Sequence, residues 1–191
     1  MVISSAHPLT ILPFSGIIVF MESISQAQTS PEFKVNQHVV YPLQGVGQIT
    51  SIEEKSFKGN DILYYVIYLE ISDMTVMVPV DQAEGLGIRS IVSKKESEKA
   101  LKHIAEEHEP VTADWKMRYQ MNLDLLKSGS VIDIATVVRT LYHRSKVKEL
   151  PIQERKLFDN ALKILVDEIS FSLDKTKVDV EDLIFNSLES N

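Results

Sequence analysis

Any chemistry this chain performs has to come from a small set of side chains. Its 191 residues include no cysteine. That removes thiolate nucleophiles, Cys-ligated zinc, iron–sulfur clusters and disulfides. The five histidines, His7, His38, His103, His108 and His143, are scattered. His103 and His108 stand five apart, off a common helix face, and no HExxH arrangement occurs, so no metal site is expected. Gly45-Val46-Gly47 lacks the third glycine and the following helix of a phosphate-binding loop. Glu53-Glu54 and Glu106-Glu107 sit among polar residues and read as solvated surface rather than an acid/base couple. No serine occupies a nucleophile elbow. The expectation is a protein without catalytic residues or cofactors: not an enzyme, but a binder. For binding, the residue that stands out is Trp115, the single tryptophan. It has two readings. Trp115, Tyr119 and Leu123 share a helical stripe, which suits a core; a place in the first turn of a helix suits exposure.

Trp115 also lies in the most basic part of the chain. Residues 113–148 carry 7 Lys/Arg against 3 Asp/Glu, whereas residues 1–92 carry 4 against 9 and residues 149–191 carry 5 against 10. The net charge of −7 argues against a protein that coats nucleic acid wholesale, yet the basic segment can meet phosphate locally. The absence of cysteine fits the cytoplasm. Leu9 to Phe20 is mostly apolar, but no positive n-region precedes it, since the first basic residue is Lys34. The run is also too short to span a bilayer. The expected start is therefore Met21, with residues 1–32 a flexible leader; an uncharged signal or surface anchor is the alternative.

The positioning elements divide into two halves, 33–92 and 93–191. The first is strand-like. Val39-Val40-Tyr41 leads into a turn at Pro42–Gly47, and a second strand runs to Phe57. Lys58-Gly59-Asn60-Asp61 turns the chain into Ile62–Ile71, whose nearly continuous apolar run predicts burial on both faces at its centre. Met74–Val80 follows, with Pro79 marking an end or an edge, and Ile88–Val92 supplies a short fifth strand. Five short strands with tight turns predict a small barrel. The second half is helical. Helices are predicted over 93–108, from a Thr112 or Asp114 cap to Lys127, after a Ser130 cap, from Leu150-Pro151 to about Ser172, and over 180–188. The fold class is α+β: a five-stranded β-barrel followed by an all-α helical bundle.

Several segments together resemble the CarD/CdnL-like bacterial transcription regulators. They are Phe33-Lys34-Val35, His38-Val39-Val40-Tyr41-Pro42 with Gly45-Val46-Gly47, Ile52 to Gly59, Thr75-Val76-Met77-Val78-Pro79, Gly87-Ile88-Arg89, Asp114 to Tyr119, Val137-Val138-Arg139, and Leu150 with Glu154-Arg155-Lys156. The resemblance implies a Tudor-like barrel that binds the RNA polymerase β subunit. Thr75, Val76, Met77 and Val78 would be the docking strand and Lys55 a neighbouring charge; Met77 stands where some relatives carry arginine. It also implies a helical domain that meets promoter DNA at the upstream edge of the melted region. There Trp115 would wedge into the minor groove, and Lys116, Arg118, Arg155 and Lys156 would meet phosphates. Met117 and Gln120 replace residues basic in some relatives, so DNA binding is expected to be weak and largely independent of sequence. A cytoplasmic monomer with no membrane contact is expected. The alternatives are a polymerase-tethered adaptor that recruits another protein without touching DNA, and an interaction module outside transcription.

Overall fold

A computed structural model describes residues 30–57, 60–107 and 114–190. Most of the expected leader, the Lys58-Gly59 turn, the break at Glu109-Pro110 and the Thr112 cap lie outside the described residues.

The first half forms one antiparallel sheet of β1 (His38–Tyr41), β2 (Gly45–Phe57), β3 (Asn60–Leu69), β4 (Met74–Pro79) and β5 (Arg89–Ser90), in the order β4-β3-β2-β1-β5. Close packing holds β2 against β3. A Cβ on Gly47 would lie 2.6 Å from Ile67 Cγ2, so glycine is what lets β2 pack this closely on the β3 side chains there. A register shift between Ile49 and Ser51 bends β2.

Two expectations change here. β3 is not buried on both faces: Tyr65, Ile67 and Leu69 enter the core while Tyr68 is exposed. The run is apolar because Tyr64 and Val66 are half-covered on the outer face. Nor does a ladder close the sheet into a barrel among the described residues. β5 is only two residues long, and β4 and β5 are the end strands. Val80, Ala83 and Ile88, between β4 and β5, instead fold over the inner face beside Phe33, Val39 and Val78.

The second half holds α1 (Lys94–Ile104), α2 (Trp115–Ser128), α3 (Val131–Val147), α4 (Ile152–Leu173) and α5 (Lys177–Leu188). Their starts follow from local chemistry. Ser93 and Glu96 form a reciprocal capping box on α1. Asp114, Ser130 and Thr176 accept hydrogen bonds from first-turn N–H groups of α2, α3 and α5. Pro151 precedes α4 as its cap rather than standing inside its first turn. α5 begins three residues earlier than expected, because Thr176 caps it. The core of the bundle is built from Ala100, Ile104, Leu126, Ile134, Val138, Leu141, Ala161, Leu165, Ile169 and Ile184. No helix among the described residues is long and apolar enough to cross a membrane.

The sheet and the bundle share a junction. Leu43 and Ile71 from the sheet pack on the helical core. His38 lies on Phe171 of α4 with ring centroids 4.3 Å apart. Gly129 ends α2 at φ 70°, where a Cβ would lie 3.2 Å from Pro42 Cγ. The left-handed turn and the close approach of Pro42 both favour glycine at this point.

Candidate functional site

Trp115 is the first helical residue of α2. Asp114 holds it there by accepting hydrogen bonds from the N–H groups of Lys116 (2.8 Å) and Met117 (3.1 Å). Further along the helix, Arg118, Asn122 and Leu126 turn inward, with 5%, 4% and 1% exposure. Trp115 lies one turn before that buried stripe begins and is 41% exposed. Of the two readings of this residue, the exposed one describes the fold. Lys116 Nζ stands 5.9 Å from the centroid of the indole, a cation–π contact that leaves both groups at the surface.

The other expected phosphate contacts separate. Arg118 is not a surface cation. Its guanidinium forks onto Glu154 of α4, Nε to Oε1 and Nη2 to Oε2, each at 3.1 Å, and the Glu154 side chain is fully buried. A forked pair satisfies both partners inside the bundle, so Arg118 positions the start of α2 against α4 instead of offering charge to a ligand. Arg155 and Lys156, the next two residues of α4, turn outward and are exposed; Arg155 holds Glu149 at 2.9 Å in an open surface pair. The structure thus brings Trp115, Lys116, Arg155 and Lys156 to one end of the bundle.

On the sheet, among the described residues, β4 pairs with β3 along one side only and ends the sheet on the other. Its unpaired backbone edge can accept another strand. The four residues singled out in the sequence divide by pleat. Thr75 and Met77 point outward and are exposed, whereas Val78 is 3% exposed in the core with Val76 packed beside it. Lys55 reaches from β2 to within 3.2 Å of Met77 Sδ and 3.5 Å of Glu53 Oε2. Lys55 and Met77 therefore share the outer face. Sequence reasoning missed Tyr68, which pairs with Thr75, is 37% exposed and donates its O–H to Asp73 at 2.8 Å. Strict alternation from Ile67 and Leu69 would have found it.

Arg89 was also missed as a joint between the two halves. It forks onto the fully buried Glu168 of α4, with Nη2 to Oε2 at 2.9 Å, and its Nε donates to the Gly129 carbonyl at 2.9 Å. The Val92 N–H adds a third donor to Glu168 at 3.2 Å. No local signal pairs residues 79 positions apart. A second joint is Lys177, whose Nζ lies 2.8 Å from Asp167 Oδ1 and 3.2 Å from Glu70 Oε2. Burial pushes the Asp167 carboxyl above the usual carboxylate range, against the pull of Lys177. The hydrogen bond to Asp167 pushes the Lys177 ammonium up. The contribution of Lys177 is thus complete below its ordinary pKa of about 10.4 and is lost only as pH rises through its higher folded value. Lys177→Met removes the cation that opposes the upward push of burial on Asp167. Folded Asp167 then keeps its proton to still higher pH than in the native protein, so the stability of the variant falls more steeply as pH rises above about 4. Thermal unfolding at pH 5 and pH 8 should show a larger drop in Tm for the variant than for the native protein; equal drops would mean that Lys177 does not govern Asp167.

The candidate site thus has two parts, a sheet edge at β4 and an exposed indole beside Lys116 at the start of α2, in halves joined by the Arg89–Glu168 fork and the Lys177 bridge. Residues 33–92 match the CarD-like/TRCF RID domain, and residues 99–185 match the CarD C-terminal domain. A curated protein of Bacillus subtilis (strain 168), "Putative transcription factor YdeB", is 38% identical over 141 residues, which span 72% of this chain and 90% of that relative. The chain belongs to the CarD-like family of transcription factors.

Proposed function

We propose that this protein regulates transcription by bridging RNA polymerase and promoter DNA, through binding and without catalysis. The β4 edge, with Thr75, Met77 and Lys55 on its outer side, docks on the β subunit. Trp115 enters the minor groove at the upstream edge of the melted region and holds the open complex, while Lys116, Arg155 and Lys156 rest on flanking phosphates. The observation that carries the DNA half of this reading is the exposed indole at the start of α2, beside Lys116. An exposed aromatic ring can stack on an opened base step. Three surface cations make few phosphate contacts, so the protein alone binds DNA weakly, and tethering through polymerase supplies the effective concentration.

Binding to the isolated β-subunit lobe tests the first contact, and promoter footprinting with and without the protein tests the second. The slope of log K against log salt is expected near −3 for DNA held by three such contacts, and to shrink by about 0.9 with each of Lys116→Ala, Arg155→Ala and Lys156→Ala. A slope unmoved by all three would refute phosphate contact. One observation favours a polymerase-tethered adaptor instead: Met117 and Met121, 58% and 49% exposed, form an apolar pair on the outer face of α2. Unchanged promoter protection together with intact lobe binding would select that reading.

A further inference from the structure

α1 carries Lys94, Lys95, Lys99 and Lys102, all exposed, in a chain of net charge −7. Its buried side is Ser97, Ala100 and Ile104. At about 100° per residue, Lys95, Lys99 and Lys102 fall within roughly 60° of one another and point directly away from that side. Among the described residues none of the four lysines makes a salt bridge or a side-chain hydrogen bond. The neighbouring acids do not balance them. Glu96 is taken up by the Ser93 capping box, and Glu106 is held by His103 and Arg139. Glu98, between Lys94 and Lys102, is the one other carboxylate of α1. Nor does the helix need these cations. Lys94 and Lys95 stand in its first turn, where the helix dipole disfavours positive charge.

The chemistry of this face selects its partner. Protein interfaces are built around aromatic, Met and Arg anchors and are depleted in lysine. The exposed side of α1 holds no aromatic, methionine or arginine. Its apolar residues, Ala100, Leu101 and Ile104, are turned into the bundle, which leaves none to enter a lipid layer. Flexible ammonium arms without fixed shape suit a regular polyanion. From Lys95 to Lys102 the helix axis runs roughly 10 Å, over which duplex DNA carries about six phosphates. The face is separate from the Trp115 end. α1 lies against the first half of α3, with His103 Nε2 2.8 Å from Thr136 Oγ1. Trp115 starts α2, which pairs with α3 as a hairpin and so stands beside the end of α3.

We propose that the outward face of α1 is a second DNA-binding surface, on which Lys95, Lys99 and Lys102 hold the phosphate backbone of duplex DNA independently of its sequence. This rests on the reading of the bundle as a DNA-binding half. The test measures binding of the full chain to a long promoter duplex over a salt series, and compares Lys95→Gln/Lys99→Gln/Lys102→Gln with the native protein. The slope of log K against log salt should come near −5 for the native chain, from about six contacts, and near −3 for the triple variant. Over a fourfold rise in salt that difference amounts to roughly 40-fold in affinity. The corresponding triple arginine variant keeps the charge and should keep the native slope. Both variants should keep the native Tm, since all three side chains are exposed. If the glutamine variant keeps the native slope while Lys116→Ala, Arg155→Ala and Lys156→Ala each reduce it, the α1 contact is overturned and the Trp115 end stands. If neither set moves the slope, the reading of the bundle as a DNA-binding half fails as well. If the glutamine variant keeps its duplex slope but loses affinity for single-stranded RNA, for DNA-free polymerase or for anionic phospholipid vesicles, the face serves that partner and the proposal is overturned. A native chain that does not bind the duplex at low salt overturns it too.

Discussion

Trp115→Ala is expected to shorten the lifetime of the open promoter complex by about 5- to 150-fold while leaving affinity for the β-subunit lobe unchanged. The range follows from the ~1–3 kcal/mol that one aromatic–base stack contributes, at ~1.4 kcal/mol per tenfold. The separation of the two effects follows from the fold: β4 sits at the far edge of the sheet and α2 in the bundle, with buried residues of both halves between them. Because the indole is 41% exposed, its loss should cost the fold little. Trp115→Phe keeps a stacking surface and should fall between native and alanine. A lifetime that survives Trp115→Ala, with lobe binding intact, would remove the wedge.

The largest stability effect is expected from Arg118→Ala. Removing the guanidinium leaves the Glu154 carboxylate fully buried without its forked partner. Breaking a buried pair from one side typically costs about 3–5 kcal/mol, most of it the stranded charge. Removing both sides with residues of similar volume, as in Arg118→Met/Glu154→Leu, should recover much of that loss, and urea denaturation of the singles and the double closes the cycle. The exposed Arg155–Glu149 pair beside it is the control: Arg155→Ala should change stability by no more than about 0.5 kcal/mol, since such surface pairs contribute little. The two arginines should also differ at the DNA. Arg155→Ala reduces the salt slope, whereas a conservative Arg118→Lys, which keeps charge but loses the fork, leaves the slope unchanged and lowers stability. An Arg118→Ala variant as stable as the native chain, with its salt slope reduced by about one, would return Arg118 to the phosphates.

The junction matters to function in the same terms. A tether raises effective concentration most when it is short and stiff. Here the two halves are joined by the Arg89–Glu168 fork and the Lys177 bridge rather than by a free linker. Together these fix where Trp115 stands relative to β4.

The elements themselves were legible in the sequence because their causes are local. Ser93 with Glu96, Asp114 and Ser130 announce helix starts by side chains that reach N–H groups two or three residues away. Alternating and turn residues announce the strands, and the family follows from segments whose order spans both halves. The site was legible only as a set of residue types. Lys116 and Arg118 are both cations at the start of one helix, and nothing within several positions tells them apart. The partner that draws Arg118 inward is 36 residues away, and only the packing of α4 on α2 brings it there. The same holds for Arg89 and Glu168, for the single buried face of β3, and for Trp115, whose stripe continues into the core but whose own position falls beyond the core's edge. Secondary structure answers to neighbours in the chain. Burial, charge pairing and exposure answer to neighbours in space, and those exist only once the bundle has closed.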